Sequence, residues 1–145
     1  MLKIVYNTCY GGFRLSEEGL NLYNKKCQAH NLPMMDFGRY GPDGGDFERH
    51  DPLLVEVVEE LGSKANGKHS ELKIVKIPEI FRECYKIRDY DGQEWIGCSP
   101  AELIQHRFNR TKVDSLSDVE CRTMLSEIIK ILNTRYYVEY ENDKQ

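Results

Sequence analysis

The sequence has no long hydrophobic run. No stretch approaches the roughly 20 apolar residues that a membrane-spanning helix needs. The first segment lacks an apolar core followed by a small-residue cleavage site, so no secretory signal is expected. Positive charge is not in excess either. The formal net charge is −4, which argues against long nucleic acid as a partner, because phosphate binding draws on clustered cations. A small anion remains compatible, since one or two well-placed arginines suffice. The cysteines Cys9, Cys27, Cys84, Cys98 and Cys121 are odd in number and show no CxxC spacing. Free thiols in a reducing, cytoplasmic compartment are therefore expected. His30, His50, His69 and His106 are scattered, so no metal site is expected. Neither GxGxxG nor the P-loop spacing occurs, and there is no internal repeat or low-complexity segment.

What remains is an ordinary globular composition: 145 residues, 40% hydrophobic and 30% charged. That length favours a single domain, 1–145, with enough chain to bury one core. Residues 1–31 read as strand then helix. Leu2 to Tyr6 are strand formers, and Ser16 caps a helix carrying Leu20, Tyr23 and Cys27 on one side. Residues 32–50 are a glycine-rich loop with no sustained period. Loops this long in compact domains tend to bind ligands or move. It carries Phe37, Arg39, Tyr40, Phe47 and Arg49. Two readings fit: a stacking, anion-binding lid, or an insertion whose aromatics tuck onto the core.

Residues 51–98 read as a helix followed by antiparallel strands. Asp51-Pro52 opens a helix with an apolar stripe of Leu53, Leu54, Val57, Val58 and Leu61, closed by Gly62. Glu56, Glu59 and Glu60 lie off that stripe and read as a solvated face. "ELKIVKIP" (71–78) is a strand, and "YKIRDYDGQEWI" (85–96) is a hairpin turning at Asp91-Gly92. Residues 99–145 read as a helical C-terminal segment with capping boxes at Ser99 and Ser117. The last helix is expected to bury Leu125, Ile128, Ile129 and Leu132. "RYYVEY" (135–140) reads as a further strand or an arm against a partner chain. The expected fold is α+β with a small antiparallel sheet and an N-terminal strand.

The candidate chemistry begins at the joint "NTCYGGFRLSEE" (7–18), where Gly11 and Gly12 are ringed by Asn7, Cys9, Tyr10 and Arg14. Bare backbone before a helix start can cradle an anion. It also suits a sharp turn that packs Tyr10 and Phe13 inward. Cys9 reads as a nucleophile or as a strand-end core residue. Asp89, Asp91 and Glu94 surround the hairpin turn and are capable of acid–base work; Asp91 is also explained by the turn itself. Trp95 offers a face to a purine or fills a core. "HRFNRTK" (106–112) interleaves Phe108 with Arg107, Arg110 and Lys112. That suits a diphosphate and its base, or a solvated helix end.

Three segments, "KIVYNTCYGGFRLSEEGL", "RHDPLLVEVVEELGSKANGKHSELKIVKIP" and "YDGQEWI", resemble in order a group of small proteins of bacteriophages and prophages. The resemblance covers most of residues 1–96. It is poor in the C-terminal third, and the loop 32–50 departs from it. Within that group the chain is similar to the first-described family of Thoeris anti-defence sponges. The resemblance implies a protein of an infected bacterial cytoplasm that captures, without cleaving, a cyclic ADP-ribose isomer made by a TIR-domain enzyme. It further implies capacity for cyclic oligonucleotides and assembly into a homodimer or hexamer. Carried over residue by residue, it assigns ligand contacts to Asn7, Tyr10, Gly11, Gly12, Arg49, Tyr90, Glu94 and Trp95, with either Arg107 or Arg110 at a diphosphate. No catalytic residue, metal or cofactor is implied.

The expected function is thus sequestration of a small cyclic nucleotide, glycocyclic ADP-ribose in the first instance. Two alternatives stand beside it. One is a nucleotide hydrolase or phosphodiesterase using Cys9 or the carboxylates. The other is an inhibitor that binds a protein and no small ligand.

Overall fold

The computed structural model describes residues 1–110 and 115–133, with side chains described at all of these except 110 and 131–133. The fold is α+β, with two antiparallel sheets of two strands each and four α-helices among the described residues. Its contacts group the chain into two compact units. The first joins Met1–Glu79 to Ile87–Ile96, and the second joins Ile80–Lys86 to the described residues from Gly97 onward.

In the first unit β1 (Leu2–Asn7) pairs antiparallel with β2 (Leu72–Ile77), in a register running from Leu2 opposite Ile77 to Asn7 opposite Leu72. Helix α1 (Glu17–Ala29) starts where the Ser16 hydroxyl accepts from Gly19 N at 3.0 Å. Helix α2 (Pro52–Leu61) starts where the Asp51 carboxylate accepts from Leu53 N at 2.9 Å. Both caps take an orphan donor of the first turn, which is why these residues open the helices. The expected α2 stripe is buried at Leu53, Leu54, Val57 and Val58, joined by Val55. It meets Val5, Phe13, Leu15, Leu20, Tyr23 and Cys27 in one core. Off the stripe, Glu56 and Glu60 both pair with Lys26 on α1, and Glu59 pairs with Lys3.

Strands β3 (Lys86–Tyr90) and β4 (Gln93–Gly97) form the hairpin. Both central turn residues have positive φ, 50° at Asp91 and 85° at Gly92. That geometry matches the twist of the flanking strands and explains the Asp-Gly pair.

In the second unit α3 (Pro100–Arg110) follows Ser99, and α4 (Asp118–Asn133) follows Ser117. Ser117 and Glu120 complete their box, Ser117 N donating to Glu120 Oε2 at 2.7 Å and Glu120 N to Ser117 Oγ at 3.3 Å. The expected burial along α4 needs correction: Leu125 is 58% and Ile129 is 55% exposed. Of the expected set Ile128 is half-buried, as is Met124 one turn before it on the same face. The Leu132 side chain and the 135–140 segment lie outside the described residues. No helix among the described residues is long and apolar enough to cross a membrane.

Candidate functional site

The glycine joint is held from within. Asn7, at the end of β1, is fully buried. Its amide nitrogen donates to Cys9 O at 2.6 Å and to Gly92 O at 2.7 Å. Its amide oxygen accepts from Cys9 N at 3.3 Å and Glu71 N at 2.8 Å. One side chain thus fastens the joint, the β2 entry and the hairpin turn. Gly11 N donates to Asp91 O at 3.1 Å. A Cβ on Gly11 would stand 2.7 Å from His69 O, and one on Gly92 would run into Gly12 N. The close approach that bare backbone permits is therefore used by the chain's own segments. Of the two aromatics at the joint, Phe13 is buried and Tyr10 is 58% exposed.

Arg49 and Glu94 belong to the same scaffold. Their side chains are only 7% and 9% exposed. The guanidinium meets the carboxylate twice, Nη1 to Oε2 at 2.9 Å and Nη2 to Oε1 at 2.6 Å. Nε donates to Gly44 O at 3.0 Å, Nη1 also donates to Val5 O at 3.2 Å, and the group lies 3.9 Å from the Phe13 ring centroid. Glu94 accepts in addition from Asn7 N at 2.8 Å. The sequence pointed Arg49 at a ligand. The structure places its donors inside the fold, where a fork-to-fork pair is the geometry that offsets burying two charges.

The loop 32–50 divides its side chains between core and surface. Phe47 is buried against Phe13 and Tyr23, at ring-centroid distances of 6.0 and 5.2 Å. Tyr23 donates to the Asp51 carboxylate at 2.6 Å; burial, and then that bond, push its phenol upward. The loop is strapped to the joint by Arg14, which donates to Gly41 O at 2.9 Å, and by Leu15 N, which donates to Pro42 O at 3.3 Å. Under it lies a cavity of about 680 Å³, inside the roughly 300–1,000 Å³ range of small-ligand pockets.

That cavity collects Arg14 from the joint, Phe37, Arg39 and Tyr40 from the loop, and Lys68 and His69 from the turn before β2. Glu17 is the one carboxylate in the lining. The Arg39 guanidinium sits 5.2 Å from the Tyr40 ring centroid. Among the described residues, the Lys68 and His69 side chains make no hydrogen bond or ion pair. The loop aromatics and Arg39 were legible as lid candidates. Lys68 and His69 were missed; they are the central residues of the turn that Ser70 N closes onto Gly67 O at 3.2 Å.

The remaining sequence candidates fall elsewhere. Tyr90 is 72% exposed on β3, and Trp95 is half-buried on β4. Arg107 lies on α3 in the second unit, paired with Glu127 at 3.0 Å. It lines a separate groove of about 260 Å³ with Ile104, Leu116, Met124 and Ile128. Arg110 ends α3, and its side chain and Lys112 lie outside the described residues. The Cys9 thiol donates to Tyr10 O at 3.3 Å. All five cysteines are free; burial pushes Cys98 up to about 11 and also raises Cys84. Among the described residues no three metal-ligating side chains cluster.

Compared with protein-family models, with curated proteins and with solved structures, the chain matches none.

Proposed function

We propose that the protein captures a small phosphate-bearing cyclic nucleotide in the cavity of the first unit and releases it chemically unchanged, as a phage anti-defence sponge would. The supporting observation is the lining itself. Three permanent cations and two aromatic rings line it with a single carboxylate; one of the cations, Arg14, also stands 3.9 Å from Asp43 Oδ2. Anion capture needs donors that are not already committed, and Lys68 supplies one. Burying a nucleobase needs flat apolar surface, which Phe37 and Tyr40 supply. Glycocyclic ADP-ribose, the ligand class that the sequence resemblance implies, is the first candidate.

Incubation with glycocyclic ADP-ribose and cyclic trinucleotides, followed by heat release and mass analysis, tests the proposal. Recovery of intact ligand is expected. A hydrolysed product would favour the nucleotide-hydrolase reading, and failure to capture any of them would favour a protein-binding inhibitor. Lys68→Ala should weaken capture by about tenfold to a hundredfold, the worth of one charge-assisted contact, without altering the thermal midpoint.

Assembly into a homodimer or larger oligomer belongs to the same proposal. Val119, Leu125 and Ile129 on α4 are exposed apolar groups that association would cover. Sedimentation at micromolar concentration should give a mass of at least twice 16.9 kDa. A monomer mass would overturn this part alone.

A further inference from the structure

The segment between Met35 and Pro42 is tied at both ends and open in the middle. At one end the Asn24 amide exchanges two hydrogen bonds with the Met35 backbone, at 2.7 and 2.9 Å. At the other, Arg14 and Leu15 hold Gly41 O and Pro42 O. Gly41 N donates back to Phe37 O at 3.0 Å, closing a compact turn whose Phe37 ring packs on the core. The tip, Gly38-Arg39-Tyr40, is exposed. A tyrosine serving the core would turn inward, as Phe37 and Phe47 do. Tyr40 remains 66% exposed at the cavity. Its hydroxyl has no partner among the described residues, and its one ring contact is the Arg39 guanidinium.

We propose that Tyr40 is the base-stacking residue of this cavity: its ring stacks a nucleobase while Arg39 and Lys68 hold a phosphate of the same nucleotide. The inference rests on the nucleotide reading above and adds to it which residue holds the base. A guanidinium covers one face of a ring and leaves the other free. The ring offers its free π-face to a base, and the guanidinium, 5.2 Å from the ring centroid on the covered side, offers an anion contact beside it. The two ties hold the backbone of the turn that carries ring and guanidinium, so less ordering entropy is lost on binding.

The test is calorimetric titration with ADP and with inorganic pyrophosphate, two diphosphates that differ by the adenosine. Wild type should bind ADP more tightly. Tyr40→Ala should weaken ADP binding by about tenfold, the usual scale for losing one base–aromatic stack, and leave pyrophosphate binding unchanged. Tyr40→Phe should behave as wild type, and Arg39→Ala should weaken both probes. An equal loss of both probes in Tyr40→Ala would show that the tyrosine supports the turn and does not stack a base. Equal wild-type affinity for the two probes would remove the base platform and leave the anion site standing. If neither probe binds, the inference falls. Whether the nucleotide reading falls with it is then decided by the separate capture of cyclic nucleotides.

Discussion

Glu94→Gln is expected to destabilise the protein by about 3–5 kcal/mol, although the two side chains have nearly the same shape. Arg49 is buried, and its charge is matched by Glu94 through two contacts. An amide leaves the guanidinium charged, desolvated and half-paired. Breaking one side of a buried ion pair costs about this much because the surviving charge has nowhere to go. Against a total stability of roughly 5–15 kcal/mol for a domain of this size, that is a large share. Urea unfolding should show a lower midpoint with an unchanged slope. Arg49→Ala is expected to lose as much, for the converse reason, so any loss of ligand capture in that variant follows from loss of the scaffold. Replacing both partners together, Arg49→Met with Glu94→Leu, should recover part of the loss, since no lone charge remains. A Glu94→Gln variant as stable as wild type would show the pair to be dispensable.

Gly92→Ala is expected to cost about 2–5 kcal/mol. Its φ of 85° is a conformation that an L side chain enters only at a cost of about 1–2 kcal/mol. Its Cβ would also collide with backbone of Gly12, which no rotamer change relieves. The hairpin would have to lift off the joint, and overpacking of that kind adds about 1–3 kcal/mol. Gly12→Ala separates the two causes. Gly12 has φ 90°, yet a Cβ there meets nothing within 4 Å, so only the conformational part should appear. If both variants shifted the unfolding midpoint equally, the close approach would not matter.

The elements that rest on local chemistry were legible in the sequence. Ser16, Asp51, Ser99 and Ser117 announce helix starts because a cap acts within a few residues of itself. Asp91-Gly92 announces a hairpin because its turn geometry is local too. The site was only half legible. Phe37, Arg39 and Tyr40 stood out as aromatics and a cation in a loop without a period, but nothing local sorts Phe47 into the core and Tyr40 out of it. That sorting follows from where Arg14 and Asn24 tie the loop. The role of Arg49 was hidden for the same reason: charge type does not name a partner in another segment. Gly11 and Gly12 were read as an anion cradle or as a sharp turn. What approaches them, the backbone of His69 and Gly92, is set by tertiary packing.

The Arg49–Glu94 pair also orders events during synthesis. The two residues are separated by 45 positions, so the arginine is synthesised and clears the ribosome before its carboxylate does. Until then β1, α1 and α2 can assemble only around a cation with no counter-charge, and Asn7 lacks the Gly92 carbonyl that completes its bonding. Contacts this distant in sequence form late, because the intervening loop must close first. The first unit therefore becomes native only when the hairpin has been made. A nascent chain halted before Glu94 presents its core incomplete, and the cavity walls that the joint supports are then not yet fixed in place.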